Sequence, residues 1–175
     1  IGTFGNYYNP MIFLEVAKEL REHPIHFIIG GDGSYGGEIR EAARGLMNVS
    51  FTGWLNQSEI EFLLSKANLG VVPCTARIQA FPNKVFTYFS AGLPIISSLD
   101  GELKDILHKH QLGMYYEPND AVELIAHIKQ LVNDIDKYES LKKNVRKYFD
   151  EMYDADLIYK WFADYVELIS KKTGP

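Results

Sequence analysis

A chain of 175 residues with 46% hydrophobic and 23% charged residues is long enough for one domain with a substantial core, and too apolar to stay disordered. Its 18 Lys and Arg against 23 Asp and Glu give a net charge of −5, without the basic stripe of a nucleic-acid binder, so no nucleic-acid partner is expected. The single cysteine, Cys74, excludes an intrachain disulfide and a cysteine-rich zinc cluster, and no apolar run reaches the roughly 18 residues of a membrane helix.

Apolar runs of strand length alternate with stretches of helical period. Ile1-Gly2-Thr3-Phe4-Gly5 reads as a strand entering a glycine turn, with no initiator Met and no polar leader. The chain is therefore expected to be a fragment that starts inside a longer polypeptide. Asn9-Pro10 predicts a helix start, Asn as the cap and Pro in the first turn. Ile12, Phe13, Val16, Ala17 and Leu20 share one face until His23-Pro24 stops the helix. Residues 25–30 form a second strand that ends in Gly30-Gly31-Asp32-Gly33, and a short helix follows over 37–44.

Residues 49–52 make a third strand broken by Gly53, after which Asn56 and Glu59 have capping-box spacing for a helix carrying Ile60, Leu63, Leu64 and Ala67. The fourth strand is 69–73. A helix from Pro82 stops at Gly92, with Pro94 blocking continuation. Strand 94–97, helix 102–109 and strand 114–116 come next, then a helix opened by Asp120 and Glu123 and two more helices over 136–151 and 154–170.

Strands alternating with helices imply parallel pairing through right-handed crossovers. The predicted fold is α/β, a doubly wound, Rossmann-like six-stranded parallel sheet with a helical C-terminus. Ligands in such sheets sit beyond the carboxyl ends of the strands, which directs attention to loops 3–9, 30–36, 53–57, 73–83 and 97–102.

Two of these loops carry chemistry. The run Gly30-Gly31-Asp32-Gly33-Ser34 between strand and helix offers amides to an anion, but it has neither dinucleotide-binding nor P-loop spacing, and a plain tight turn explains it equally well. Loop 73–83 leads into a helix start that carries Asn83 and Lys84 in its first turn. A cation there opposes the helix dipole, and it makes sense if an anion such as a diphosphate occupies that end. A solvated surface lysine is the alternative. The histidines are too dispersed for a metal site, Cys74 has no basic partner in sequence and reads as buried or site-lining, and no nucleophilic-serine motif is present.

With these residues in view, the sequence resembles the C-terminal, donor-binding domain of GT-B glycosyltransferases, family 4 type (glycosyl transferases group 1). The family pattern runs Gly-x-Gly, Phe-x-Gly, a proline-ended strand, and a loop closing in Glu-Ala-Met-Ala-x-Gly-x-Pro-Val. It is met here by Gly31-Asp32-Gly33, Phe51-Thr52-Gly53, Val71-Val72-Pro73 and Thr87-Tyr88-Phe89-Ser90-Ala91-Gly92-Leu93-Pro94-Ile95. Asp100-Gly101-Glu102, Gly113 and Pro118-Asn119-Asp120 match the later part, so the resemblance runs from residue 1 to about 135. Phe81-Pro82-Asn83-Lys84 is similar to a subgroup found in polysaccharide and O-antigen transferases.

The resemblance implies residues 1–150 as a sugar-nucleotide-binding domain and 151–175 as a C-terminal helix that packs on a separate N-terminal acceptor domain. It implies transfer of a sugar from a nucleotide-diphosphate sugar to a cell-surface polysaccharide or glycolipid, with retention. No metal or other cofactor is expected. The location implied is cytoplasmic, with any contact to the inner face of the membrane made through the other half. Lys84 would stabilise charge on the departing diphosphate; Gly33, Trp54, Arg77, Gln79, Phe81, Asn83 and Thr87 would line the substrate site. Backbone at Gly53-Trp54-Leu55 would meet the base, with Trp54 as a wall or, alternatively, a packing anchor. Two glutamates eight positions apart in the family correspond to Gln79 and Thr87, which removes two carboxylates from the sugar and ribose contacts. The loop after the first strand, from Thr3 to Tyr8-Asn9, lacks the family's cations, which leaves Lys84 and Arg77 to supply the charge. A degenerate, non-catalytic module and a sugar-nucleotide epimerase are the competing readings. The aromatic C-terminal residues Tyr148, Phe149, Tyr153, Tyr159, Trp161, Phe162 and Tyr165 have helical spacing and are expected to pack, part of 154–170 against the other domain.

Overall fold

Short apolar segments punctuated by glycine and proline build the sheet, and amphipathic stretches cover it. A computed structural model describes residues 1–8 and 10–172. Its elements in order are α1 (Met11–Glu19), β1 (Phe27–Gly30), α2 (Gly36–Ala42), β2 (Val49–Gly53), α3 (Gln57–Lys66), β3 (Gly70–Val72), α4 (Asn83–Ser90), β4 (Ile95–Ser97), α5 (Glu102–Lys109), β5 (Gly113–Tyr115), α6 (Ala121–Asn133), α7 (Ile135–Met152) and α8 (Ala155–Lys172). All strand pairs are parallel, as crossover helices require.

Among the described residues the expected six-stranded sheet is instead five strands in two parallel sheets, β1-β2 and β3-β4-β5. The opening segment accounts for the difference. Gly2 N–H donates to the Gly30 carbonyl at 2.9 Å and Phe4 N–H to the Asp32 carbonyl at 2.9 Å, and Phe4 forms one parallel bridge to Gly33. These bonds fall on the last residue of β1 and the loop beyond it, so the ladder is too short for a strand and no strand separates β1 from β3.

Local end signals are realised where they are described. Asn56 Oδ1 accepts from Glu59 N–H at 3.0 Å while the Glu59 carboxylate accepts from Asn56 N–H at 2.8 Å, a complete capping box. Asp120 Oδ1 accepts from Glu123 N–H at 2.8 Å and starts α6. The predicted cap Asn9 lies outside the described residues.

The best-buried part of the core surrounds β4, whose three residues are all enclosed, together with Val72, Phe89, Leu99, Leu103, Leu107 and Leu112. Ser97 and Ser98 are buried there too, and they tie the ends of β3 and β4 together. Cys74 N–H donates to Ser98 Oγ at 2.7 Å, Ser98 Oγ donates back to the Cys74 carbonyl at 3.2 Å, and Leu99 N–H donates to Ser97 Oγ at 3.1 Å. These bonds fix the start of the long loop to α4. A second cluster joins α1 and α6 through Val16, Leu20, Leu124 and Ile128.

The C-terminal aromatic residues divide into two sets. Tyr148, Phe149 and Tyr153 pack on one another and on α4. Residues 154–171 are exposed throughout, with Trp161 51% and Phe162 65% accessible, so α8 adds no buried layer to this domain. No helix among the described residues is long and apolar enough to cross a membrane.

Candidate functional site

Beyond the carboxyl ends of β1 and β2, facing the start of α4, lies a cleft of about 680 Å³. Its walls include Gly30 and Gly31, Trp54 and Leu55 after β2, and Asn83, Lys84 and Thr87 from α4. This is where ligands enter open α/β sheets.

Lys84 dominates the electrostatics. It sits in the first turn of α4, where Pro82 precedes the helix without any side-chain cap, so the first amides are left to other acceptors. Its Nζ stands 4.4 Å from the centre of the Tyr8 ring and lies directly over Gly2. Burial pushes the ammonium below the usual lysine range, and the neighbouring Cys74 thiol opposes that only in part. Among the described residues no carboxylate forms an ion pair with it. The Ile1 nitrogen is close by, 2.9 Å from Tyr88 Oη. A half-buried cation at an uncapped helix start, stacked on an aromatic ring and lacking a counter-ion, is a seat for an anion.

The expected site residues separate into those in the cleft and those outside it. Trp54, Asn83, Lys84 and Thr87 line it together. Trp54 is 66% exposed, so it forms a wall and is not a core anchor. Thr87 turns its hydroxyl back on its own helix, donating to the Asn83 carbonyl at 3.3 Å. Phe81 lies outside the lining, in an aromatic cluster with Phe86 at 5.0 Å and Tyr153 at 6.4 Å.

Gly33 is engaged in packing. A Cβ there would overlap the Phe4 carbonyl, and one on Gly31, whose φ is 114°, would overlap the Gly2 carbonyl. Gly33 N–H already donates to Asp32 Oδ1 at 2.8 Å. The turn interpretation therefore accounts for this loop at Gly33 without a ligand. Gln79 is exposed and pairs by a bridge with Asp100, its stem against Gly101. Arg77 donates to Glu117 Oε2 at 2.9 Å, and that carboxylate raises its pKa. Neither Gln79 nor Arg77 lines the cleft.

The sequence profile of glycosyl transferases group 1 matches residues 1–134. The chain belongs to this family. It is 29% identical over 178 residues to O-antigen chain mannosyltransferase C of Escherichia coli, covering 99% of this chain and 47% of that protein. Sulfoquinovosyl transferase SQD2 of Arabidopsis thaliana is 26% identical over 150 residues, 84% of this chain and 28% of that protein. The chain thus spans about half the length, or less, of these curated relatives. Among solved structures, Anabaena Alr3699/HepE in complex with UDP-glucose superposes with a TM-score of 0.79 at 18% identity, over 95% of this chain and 47% of that one. The C-terminal domain of a glycosyl transferase group 1 family protein (LpcC) from Francisella tularensis gives a TM-score of 0.75 at 16% identity, over 89% of this chain and 84% of that one. The fold is that of the C-terminal half of a GT-B glycosyltransferase. Membership of the glycosyl transferases group 1 family does not favour the epimerase alternative.

Within this group 1 domain, Tyr8 is the site residue the sequence alone does not reveal. Loop 3–9 holds no Lys or Arg, yet its Tyr8 ring carries the Lys84 ammonium. The available signal is the aromatic pair Tyr7-Tyr8 in a loop already known to face the ligand end of the sheet.

Proposed function

We propose that this chain is the nucleotide-sugar-binding half of a retaining glycosyltransferase that transfers a sugar from a nucleoside-diphosphate sugar to a cell-surface polysaccharide or glycolipid acceptor. The observation that carries the proposal is Lys84, a cation with no acidic partner among the described residues, over the uncapped start of α4 and facing the cleft. When the bond from the sugar's anomeric carbon to the phosphate oxygen breaks, its electron pair leaves with the diphosphate. Lys84 and the first amides of α4 would stabilise that charge, a contribution of about 3 kcal/mol. Trp54 would bound the nucleoside, and Asn83 and Thr87 would contact the donor. Arg77 and Gln79 would join only if loop 73–83 moved on binding. Likeness to the O-antigen chain mannosyltransferase supports the polysaccharide acceptor. Acceptor and catalytic base would come from a separate N-terminal domain, with Trp161 and Phe162 on α8 covered by it, on the cytoplasmic side of the membrane.

Calorimetric titration with UDP and GDP tests the proposal. One nucleotide should bind the wild-type chain, and Lys84→Ala should weaken it about 10- to 100-fold, as for a lost charged hydrogen bond. Absence of binding to both, or equal binding by the variant, would overturn the reading.

A further inference from the structure

The cleft at the start of α4 changes chemistry along its length. Lys84 lies over Gly2 in the first, uncapped turn of the helix. Thr87 follows three residues later on the same helix face, about 4.5 Å along the axis, and lines the same cleft. Around Thr87 the wall is aromatic. Phe86 and Tyr153 meet edge to face with ring centres 4.9 Å apart, and Phe149 lies beside them at 6.3 Å from Tyr153.

The polar groups on this wall are neutral and already engaged. Thr87 Oγ1 donates to the Asn83 carbonyl at 3.3 Å, and Ser90 Oγ donates to the Thr87 carbonyl at 2.9 Å. Both hydroxyl protons therefore stay within the helix, which leaves a ligand only the oxygen lone pairs. Burial first, and then its bond to Tyr148, raise the Tyr153 pKa above the usual tyrosine range, so that phenol stays neutral. On the facing helix α3, Glu61 accepts from the cleft-lining Gln57 at 2.8 Å and Glu59 closes the capping box at Asn56. Among the described residues no Asp or Glu lines the cleft.

We infer that the cleft does not read the 2′-hydroxyl of its nucleotide, so that 2′-deoxyribonucleoside diphosphate sugars belong to its donor class alongside the ribonucleoside forms. On the nucleotide-sugar reading, on which this rests, the diphosphate sits at Lys84 and the nucleoside against Trp54, so the pentose falls against the Thr87 turn. A site that selects ribose grips its hydroxyls with a carboxylate, because a bond to an ionised acceptor is about twice as strong as a neutral one. Here a ribose 2′-hydroxyl would exchange water for the neutral oxygen of Thr87 and the faces of Phe86 and Tyr153, with little net gain. A 2′-deoxypentose gives up no hydrogen bond there and lays apolar surface on the same aromatic wall. Thr87, short and turned back on its own helix, is the residue that sets this tolerance. The anion seat at Lys84 is untouched by it.

Calorimetric titration with UDP against 2′-deoxy-UDP, and with GDP against 2′-deoxy-GDP, tests the inference. For whichever base binds, the two dissociation constants should agree within about threefold or favour the deoxy form. A preference for the ribo form beyond about threefold would overturn it, and the proposed function would stand, because a nucleotide would still bind. Failure of all four to bind would overturn both. Thr87→Glu supplies a carboxylate where the pentose is expected, and it should turn the ratio to about tenfold or more in favour of the ribo form. Comparing the two sugars on one base cancels any general repulsion between the new charge and the diphosphate. An unchanged ratio, in a variant that unfolds at the same denaturant midpoint as wild type, would put the pentose elsewhere and refute the assignment to Thr87.

Discussion

The two halves of the sheet are written in similar residues and packed very differently. In the β3-β4-β5 half, β4 is wholly buried and the buried hydroxyls of Ser97 and Ser98 stitch neighbouring strand ends together. In the β1-β2 half, Ile28 is exposed and no β2 residue is fully buried. An apolar run becomes core only when its neighbours close on both sides. The candidate site lies on the seam, because Lys84 rises from α4 on the tight half and reaches over Gly2 and Tyr8 on the other. The largest expected effect tests that contrast directly. Phe89→Ala, at a fully enclosed position of α4, should cost about 3–5 kcal/mol in denaturant unfolding. Ile28→Ala should cost less than about 1 kcal/mol, because much of that side chain already meets solvent. Equal losses would abolish the distinction.

Hydroxyl deletions sharpen the same comparison at lower magnitude. Ser98→Ala removes the acceptor for Cys74 N–H at 2.7 Å in a buried setting, and the stranded amide should cost about 1–3 kcal/mol. Ser50→Ala in β2 removes a 2.8 Å contact with His26 Nε2 in an exposed setting, where water substitutes, so the change should stay below about 0.5 kcal/mol. Thermal or denaturant unfolding of both variants measures the difference.

Lys84 connects the halves through pH. Its folded-state pKa lies below the ordinary 10.5 because of burial, so between the two values the unfolded chain binds more protons. Stability should therefore rise with pH through that window and be complete above 10.5, and Lys84→Met should flatten the rise. Nucleotide binding should move the opposite way, weakening as the ammonium loses its proton. Unfolding and titration from neutral pH to about pH 10 would reveal the opposed slopes; parallel slopes would show that Lys84 does not hold the anion.

What could be read ahead of the structure follows the range of the forces involved. Helix starts at Asn56 and Asp120 are set by bonds within three residues, and both are legible. Strand identity is equally local, but strand partnership depends on what lies alongside, so the opening segment reads as a strand and yet forms one bridge. In the site, Asn83, Lys84 and Thr87 come together because one helix presents them, and Trp54 because it follows β2 directly. Gln79 and Arg77 occupy a long loop whose path is decided by Asp100 and Glu117, partners that no local spacing announces. Gly33 belongs to the same class, since its neighbour Phe4 is close in space and distant in sequence.

The smallest effect separates the two basic residues that sequence alone groups together. Arg77, within loop 73–83, and Lys84, just beyond it in α4, carry the same charge but have opposite surroundings. The Arg77 guanidinium is exposed and held by Glu117 at 2.9 Å, whereas the Lys84 ammonium is half-buried with no ion-pair partner among the described residues. An exposed pair of the first kind contributes about 0–1 kcal/mol to stability, because water already solvates both members. Arg77→Ala should accordingly leave nucleotide affinity within about threefold of wild type and shift unfolding by less than about 1 kcal/mol. A loss comparable to that of Lys84→Ala would mean that loop 73–83 abandons Glu117 when the ligand arrives. The Glu117→Gln variant distinguishes the two cases: freeing Arg77 from its carboxylate should strengthen binding if the loop moves and leave it unchanged if the arrangement with Glu117 persists in the complex.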